Sequence, residues 1–198
     1  MPKRVDHDER RAELAELTVR VIEAEGAQSA TLRRIAKEGG FTLGVITHYF
    51  RTKDELVALA FEWLAERSAA ALEARLAAAS GGRARLVAAL EHMVPVNGEA
   101  SYPGVWLALG SGVRRSDPLA ALHRAYYARW RRTVRDLVRA AKCRPMSAAA
   151  LAEAVDLLVT GIDGLWLGVM LEGRHYGRRR RRALIAALVE RVVTQSAP

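Results

Sequence analysis

The residues at 42–49, TLGVITHY, combine small side chains with groups that can form hydrogen bonds to a flat polar surface. A helical wheel at about 100° per residue separates this segment into two faces. The apolar face contains Leu43, Ile46, Tyr49 and Phe50. The opposite face contains Gly44, Val45, Thr47 and His48. Because this second face has no long charged side chain and Gly44 would let another backbone come close, it suits the base edges of a DNA major groove.

A second group of chemically suggestive residues surrounds Asp163. Thr160 and Asp163 interrupt LLVTGIDGLWLGVML at 157–171, the most apolar stretch of the chain. A carboxylate in apolar surroundings is costly unless it is paired. Two explanations stay open. Asp163 could form an internal salt bridge with Arg129 or Arg132, or it could act as the counter-ion of a cationic ligand, which aromatic rings would also attract.

The segment at 42–49 needs a scaffold, and the residues before it predict one helix. Apolar residues at 32–38 recur at helical spacing, and two glycines follow them. Gly40 is placed for the left-handed conformation that ends a helix, and Phe41 beyond it can fold back onto the apolar face. Thr42 is then placed to cap the next helix.

The residues after this segment predict a third helix. Thr52 and Glu55 have the spacing of a capping box, with Lys53 in the first turn. Together the three elements form a helix-turn-helix whose second helix would enter the major groove. Taken alone, the same pattern also fits two ordinary core helices joined by a turn.

The run IAKEGGFTLGVITHYFRTKDEL at 35–56 resembles the DNA-binding domain of the TetR family of repressors. The shared features are the Ile-Ala pair, the turn glycine, the Gly-x-x-x-His-Tyr-Phe string and the Lys-Asp-x-Leu ending. Thr47 stands where most of the family has Tyr, which is similar to the choline-responsive BetI-like subgroup, and Gly39 departs from the more usual Ala. The resemblance implies phosphate contacts from Tyr49 and Lys53. The full set of implied DNA contacts is Thr31, Arg33, Thr42, Leu43, Gly44, Thr47, His48, Tyr49 and Lys53.

Composition restricts the class of protein without deciding it. The chain has 198 residues, of which 51% are hydrophobic, and a formal net charge of +9. Over residues 1–60, however, Lys and Arg only equal Asp and Glu in number, and the basic excess lies at 114–144 and in the arginine run at 178–182. Bulk charge therefore gives weak support to DNA binding, and the run at 178–182 is expected to be solvated helix surface. A single cysteine, Cys143, excludes an internal disulfide.

No uncharged apolar run reaches the length of a membrane span, and the polar N-terminus is unlike a signal peptide. We therefore expect a cytoplasmic protein with no membrane partner. Helical spacing, caps and breaks predict about nine helices and no strand, which makes the chain all-α. Residues 1–52 are expected to form the helix-turn-helix domain, and residues 53–198 a helical ligand-binding and dimerisation domain.

The resemblance to BetI-like regulators extends through PGVWLALG, HRAYYARWR and DGLWL in the second part of the chain. It implies a homodimer built on the last two helices and a pocket for a small-molecule effector, with an organic cation as one candidate. The small residues of the penultimate helix would allow close helix approach, either between subunits or within one subunit. The expected interface residues are Leu157, Gly161, Gly164, Gly168, Leu184 and Leu188. The expected effector contacts are Trp63, Trp106, Tyr126, Tyr127, Trp130, Asp163 and Trp166, with plain core packing as the alternative for each aromatic residue.

Nothing in the sequence favours catalysis, because it has no H-E-x-x-H, phosphate-binding glycine loop or G-x-S-x-G motif. We expect no cofactor and no metal. The favoured function is a ligand-responsive transcriptional regulator that binds a palindromic double-stranded operator. Two alternatives remain open: a helical ligand-sequestering protein that does not read DNA, and a helical lyase or hydrolase using His92, His123 and Asp163.

Overall fold

A computed structural model describes residues 7–94, 102–114, 116–141 and 145–194. Within these ranges the chain forms nine α-helices, one short 3-10 turn at Ala27–Ser29 and no strand, which confirms the all-α prediction. Cys143 lies outside the described residues. The helices are α1 His7–Glu25, α2 Leu32–Gly39, α3 Leu43–Tyr49, α4 Lys53–Ala78, α5 Gly82–Met93, α6 Pro103–Gly112, α7 Asp117–Ala141, α8 Ala148–Leu171 and α9 Arg178–Thr194.

The chain divides into two compact units, each with its own core. Unit 1 comprises Met1–Ser68 and Tyr102–Tyr126, and unit 2 comprises Ala69–Ser101 and Tyr127–Pro198. Helices α4 and α7 therefore each supply residues to both units. The functional division at residues 52 and 53 remains a prediction about what each part does.

The core of unit 1 is built around α1. One side of α1 buries Leu14 and Leu17 against Ile35 of α2 and Ile46 of α3. Another side packs against α4 and α6, where the backbone N–H of Val105 donates to the Glu23 carboxylate at 2.9 Å. Helix α1 is thus the brace on which the two short helices of the predicted helix-turn-helix rest.

The core of unit 2 brings together α5, α7, α8 and α9. Ser147 caps α8 as predicted, because its hydroxyl accepts a hydrogen bond from the Ala150 N–H at 3.1 Å. Helices α5 and α7 meet closely at Gly82, where a Cβ atom would lie 2.0 Å from the carbonyl oxygen of Ala140. Only glycine therefore fits at that position with this backbone.

Helix α8 is long and apolar enough, by length and composition alone, to cross a membrane. One such helix is weak support for a span, because core helices of soluble proteins pass the same test. In this chain α8 supplies buried residues to the core of unit 2, among them Leu158 and Ile162.

Candidate nucleic-acid interface and effector site

The junction between α2 and α3 is set by hydrogen bonds at both ends of α2. At its start, the Thr31 hydroxyl accepts from the Arg34 N–H at 3.1 Å. At its end, Gly40 has a φ of 67°, the left-handed conformation predicted for it. The Phe41 N–H then donates to the Ala36 carbonyl at 2.8 Å, which closes a Schellman-type turn. This turn directs the chain into α3.

Gly39, which differs from the alanine usual in the resembling family, has a packing reason to be glycine. A Cβ atom there would lie 2.4 Å from the Phe41 ring and 2.8 Å from a methyl group of Leu17. The Phe41 ring therefore occupies the space that an alanine methyl would need. The predicted fold-back of Phe41 onto the apolar face explains this departure.

Helix α3 is anchored on one side and open on the other. Ile46 is 0% exposed, and Phe50 immediately after the helix is also buried. Gly44, Thr47 and His48 are exposed, as the helical wheel predicted. The wheel was wrong about Leu43, which it assigned to the apolar core face. Leu43 is 39% exposed because it is the first residue of a seven-residue helix, ahead of the turn that contacts α1 and α2.

The capping predictions for α3 and α4 have different outcomes. Thr42 occupies the N-cap position of α3 in an extended conformation, but its side chain makes no capping hydrogen bond. At α4 the Glu55 N–H donates to the Thr52 hydroxyl at 3.2 Å, as predicted. The Glu55 carboxylate accepts from the Arg51 N–H at 2.7 Å rather than from Thr52, so the reciprocal half of the box is shifted by one residue.

The polar side chains around α3 have identifiable partners. The Thr47 hydroxyl donates to the Gly44 carbonyl at 3.2 Å. The Tyr49 ring lies 4.8 Å from the His7 ring of α1 and 5.2 Å from the His48 ring, which holds Tyr49 against the end of α1. Lys53 donates to the Gln28 side chain at 3.1 Å and so joins α4 to the turn before α2.

Adjacent arginines on α2 differ in their roles. Arg34 bridges Glu25 at 2.6 Å and Glu38 at 2.8 Å. The hydrogen bond from Arg34 lowers the pKa of Glu25, and the hydrogen bonds with Glu25 and Glu38 raise the pKa of Arg34. These contacts therefore stabilise the charged forms of Glu25 and Arg34. Arg33 is exposed and makes no ion pair within the described ranges. Arg34 therefore holds α2 to the end of α1, whereas Arg33 faces solvent.

The predicted effector contacts fall into both units and are described within each. In unit 1, Trp106 and Tyr126 pack edge to face with ring centroids 4.9 Å apart. Phe61, which sequence reasoning missed, joins them at 4.9 Å and 5.3 Å. Trp63 carries the Arg67 guanidinium 4.6 Å from its ring centre. No sequence signal separated Phe61 from the other buried apolar residues of α4.

In unit 2 the structure joins Tyr127 to Asp163. The Tyr127 hydroxyl donates to the Asp163 carboxylate at 3.2 Å. Burial, then the charge of Asp163 and the hydrogen bond to it, raise the pKa of Tyr127 to about 12, against an opposing effect of Arg131. Arg131 lies 5.8 Å from the Tyr127 ring centre and 3.4 Å from Asp156. Sequence reasoning named arginines as partners for Asp163 and did not foresee the tyrosine.

Trp130 and Trp166 complete the predicted set in unit 2. Trp130 is 4% exposed and belongs to the core, while Trp166 is half-buried against the same core. The indole N–H of Trp130 is buried and has no hydrogen-bond partner among the described residues. An unpaired buried donor costs on the order of 1–3 kcal/mol, so this N–H is a candidate donor to a ligand or a water molecule.

The glycines of the predicted interface stripe on α8 differ in what lies opposite them. A Cβ at Gly161 would lie 3.1 Å from Leu188, and one at Gly168 would lie 2.7 Å from the Tyr176 ring, so these glycines admit side chains of the same chain. Gly164 differs, because nothing lies within 4 Å of its Cβ position. An open groove of about 680 Å³ runs along this face. It is lined by Gly161, Gly164, Leu165, Tyr176, Leu184, Ala187, Leu188, Glu190, Arg191 and Thr194.

The remaining sequence candidates are the residues considered for catalysis or metal binding, the arginine run and Leu157. Within the part of the chain that the structure describes, no group of three or more His, Cys, Asp or Glu side chains is placed to hold a metal. In the arginine run, Arg182 pairs with Glu91 of α5 at 3.5 Å, while residues 178–180 are exposed. His123 and Asp163 belong to different units, and Leu157 packs against the core of unit 2.

Comparison with known proteins decides the family. Residues 14–60 match the family described as bacterial regulatory proteins, tetR family, and residues 82–194 match the BetI-type transcriptional repressor, C-terminal. This chain belongs to the TetR family. The resemblance drawn from its sequence is confirmed, including the BetI-type C-terminal part.

Relatives of this TetR regulator cover nearly its whole length. The HTH-type transcriptional regulator PksA of Bacillus subtilis is 31% identical over 202 residues, covering 98% of this chain and 95% of PksA. The HTH-type transcriptional regulator BetI of Yersinia pestis is 32% identical over 196 residues, covering 96% of each. These relatives are transcriptional regulators rather than enzymes, which sets aside the lyase or hydrolase alternative.

Solved structures share the fold. A protein from Pseudomonas aeruginosa PAO1 aligns with a TM-score of 0.80 at 25% identity, over 96% of this chain and 92% of that one. A protein from Saccharomonospora viridis, solved in complex with choline, aligns with a TM-score of 0.83 at 22% identity, over 96% of this chain and 100% of that one. Together they confirm the TetR-type arrangement of an N-terminal helix-turn-helix and a helical C-terminal part.

The Tyr127 geometry generates a prediction about pH. We predict that Tyr127 ionises near pH 12 in the folded chain, against an ordinary pKa of 10.0. The difference in phenolate absorbance between wild type and Tyr127→Phe measures this ionisation, with circular dichroism reporting folding at each pH. Asp163→Asn should move the ionisation to lower pH, because it removes the negative charge that disfavours phenolate.

The same shift fixes the sign of a stability effect. Because the folded pKa is raised, the stability from keeping Tyr127 protonated is fully present below pH 10 and is lost as pH rises through 12. The stability difference between wild type and Tyr127→Phe should therefore shrink over this window. A Tyr127 phenol that titrates at its ordinary pKa in the folded protein contradicts the assignment.

Proposed function

We propose that this TetR-family chain is a repressor that binds a palindromic operator as a homodimer and releases it when a small molecule binds. The observation that carries the proposal is the state of α3, a helix anchored through Ile46 whose remaining face points to solvent. The exposed face carries Gly44, Val45, Thr47 and His48, so it has no long charged side chain and has an open glycine. This face suits a DNA major groove, which the second helix of a helix-turn-helix enters.

The contacts of α3 divide by chemistry. Thr47 and His48 present small polar groups to base edges, and Gly44 lets the helix backbone approach the groove floor. Lys53 and Tyr49 flank this face, and the exposed Arg33 lies on α2. Lys53, Tyr49 and Arg33 would hold phosphates, and contacts of this kind fix the orientation of the protein without reading sequence.

The DNA assignment predicts two kinds of loss. Lys53→Ala should weaken binding to all sequences alike and reduce the salt slope of log K by about 0.9, because one phosphate contact disappears. Thr47→Ala and His48→Ala should change which sequence is preferred. Binding is measured against an operator selected from random DNA, at several salt concentrations.

Two controls sharpen this test. Arg20→Ala removes one positive charge from an exposed site on α1 and should leave the salt slope unchanged. Gln28→Ala removes the hydrogen bond to Lys53 and separates a structural role of the lysine from a phosphate contact. Equal binding by wild type, Lys53→Ala, Thr47→Ala and His48→Ala would overturn the assignment.

The open groove on α8 and α9 supports dimerisation through this face. It is mainly apolar, and Leu184 and Gly164 on it are exposed in the single chain. The polar residues Glu190, Arg191 and Thr194 also line it. A second copy related by a two-fold axis would cover this groove and set two α3 helices against half-sites about 34 Å apart.

The dimer assignment predicts that Gly164→Leu produces monomers, because Gly164 faces open space where a partner helix would pack. Operator affinity should fall with it, since each half-site alone binds weakly. Gly110→Leu is the matched control: Gly110 also lies in a helix with nothing within 4 Å of its Cβ position, but in unit 1. Light scattering that shows dimers for Gly164→Leu, or monomers for both variants, would place the interface elsewhere.

The pair of Tyr127 and Asp163 supports a polar effector site in unit 2. Tyr127 and Trp130 are three residues apart on α7 and share a helix face. An effector would place a cationic group beside the Tyr127–Asp163 pair and an acceptor oxygen near the Trp130 N–H, which has no hydrogen-bond partner among the described residues. Choline, which is bound in the Saccharomonospora viridis protein, has this composition. A flat, partly apolar molecule or an acid attracted by the arginines of α7 is the competing ligand class.

In this mechanism the effector acts by shifting a population. Its binding would favour a state of the dimer whose two α3 helices no longer match successive major grooves. Helix α4 starts at Lys53 and continues into unit 2, so it is a continuous element that can link the two activities. Repression would then end because the dimer could no longer bind both half-sites of the operator at once.

The effector assignment is tested by thermal-shift screening of choline analogues, other amines, carboxylic acids and neutral aromatic compounds. We expect amines to raise the Tm of wild type and to lose this effect in Asp163→Asn. Asp156→Asn is the matched control, because Asp156 lies two turns earlier on α8 and is exposed. Stabilisation by acids alone, or an amine effect that persists in Asp163→Asn, would exclude the cationic effector.

A further inference from the structure

Tyr49, the last residue of α3, lies between two exposed histidines. Its ring centre is 4.8 Å from that of His7, with the planes tilted by 42°, and 5.2 Å from that of His48, with the planes at 88°. The Tyr49 side chain is half-buried, and its hydroxyl has no hydrogen-bond partner among the described residues. The two imidazoles also have no hydrogen-bond partner in the ranges that the structure describes. Three groups able to bind an anion are therefore gathered at the end of α3.

His7 reaches this position from a different helix. It begins α1, and one turn later the Arg11 guanidinium lies 5.7 Å from the ring centre of Phe50. Because residues four apart share a helix face, successive turns of α1 contact Tyr49 and Phe50 in succession. Helix packing, rather than local sequence, therefore holds His7 beside Tyr49.

The charged groups around His7 leave its imidazole open to an anion. On α1, Arg11 shares its face, whereas Asp8 and Glu9 lie about 100° and 200° away around the helix. The other charged or titratable residues of the first turns of α1 and of the segment from α3 into α4 are Arg10, which pairs with Glu13, His48, Tyr49, Arg51, Lys53, Asp54 and Glu55. Within the described residues no carboxylate pairs with His7, so an anion bound there comes from another molecule.

Histidine suits a phosphate contact that depends on protonation. Its side chain changes charge between about pH 5 and 8. The protonated ring has two N–H donors, and charge-assisted hydrogen bonds to phosphate oxygens are stronger than neutral ones. DNA phosphodiesters keep their negative charge over this range. A neutral imidazole beside Tyr49 therefore only packs against the ring, whereas a protonated one also attracts a phosphate bound by the phenol.

We propose that His7 is a phosphate-binding residue on α1, which positions the Tyr49 ring and, when protonated, binds the same DNA phosphate as the Tyr49 hydroxyl. This inference rests on the proposed function, because it assumes that Tyr49 lies against the DNA backbone. The protonated form is the one that binds phosphate. Operator affinity therefore rises as pH falls through the histidine range and declines as pH rises through it.

The test measures affinity for an operator selected from random DNA, at several salt concentrations, between about pH 5.5 and 8. An exposed ion pair is worth roughly two- to fivefold in affinity, so we expect that gain per half-site at the acidic end. The salt slope of log K should also become steeper there, by up to about 0.9 per half-site, because one more phosphate is neutralised. Circular dichroism at each pH checks that the protein stays folded.

Substitutions at His7 separate charge from packing. His7→Phe keeps an aromatic ring against Tyr49 but cannot be protonated, so it should bind as wild type does at about pH 8 and lose the gain at acidic pH. His7→Arg is charged throughout, so it should show the gain already at about pH 8.

Two further variants locate the response. His175→Gln is the matched control, because His175 in unit 2 also packs edge to face on a tyrosine, Tyr176, with ring centres 4.9 Å apart. It should keep the full pH response. His48→Phe measures the share of the response that belongs to α3, and the share of His7 should persist in it.

Failure of this inference is distinguishable from failure of the proposed function. The same pH response in wild type and His7→Phe assigns it to other groups and contradicts the proposal. An equal loss of affinity in His7→Phe at both ends of the pH range shows packing without a phosphate contact and also contradicts it. A specific operator that depends on Lys53, with no pH response in wild type, supports DNA binding and contradicts the role of His7 alone. Recovery of no specific operator contradicts both.

Discussion

The turn at Gly40 is the constraint on which the assembly of the predicted DNA-binding face depends. Helix α3 has seven residues, well below the roughly 12 to 15 at which an isolated helix becomes even marginally stable in water. It exists because the chain enters it at a fixed angle and Ile46 is buried against α1 and α2. The left-handed Gly40 and the Phe41 N–H bonded to Ala36 set that angle. A residue with a Cβ at Gly40 would strain the turn and tilt every exposed side chain of α3 together.

The charges around this turn show why local geometry matters more than net charge. Residues 1–60 carry no net basic excess, yet they place their charges unequally. Arg34 is committed to Glu25 and Glu38 and stabilises the scaffold, whereas its neighbour Arg33 faces solvent. Lys53 is oriented by Gln28 without being neutralised. Arg33 therefore remains an exposed cation in a segment of zero net charge, because Arg34 pairs with both Glu25 and Glu38.

Local signals in the sequence predicted most of the fold. Helix ends marked by Ser147, Thr52 and Gly40 were predictable because caps and left-handed turns depend on neighbouring residues. The hydrogen bond between Tyr127 and Asp163 joins residues 36 apart, and the ion pair of Arg34 with Glu25 joins residues 9 apart on different helices. Such partners follow from packing, which periodicity does not encode. The exposure of Leu43 was missed for a related reason, since a wheel treats a short helix as if its first turn were flanked on all sides.

The glycines of α8 show that sequence spacing does not reveal which side chain lies opposite each residue. Gly161, Gly164 and Gly168 form one stripe at the spacing of close helix packing, and the sequence treats them alike. In the fold, Leu188 fills the space beside Gly161 and Tyr176 fills the space beside Gly168, so these two are explained within one chain. Gly164 is left open on the groove. What distinguishes packing within a subunit from contact between subunits is the side chain opposite each glycine, and that side chain lies outside α8. Gly164 and the exposed Leu184 therefore support the proposed partner surface, whereas the stripe as a whole does not.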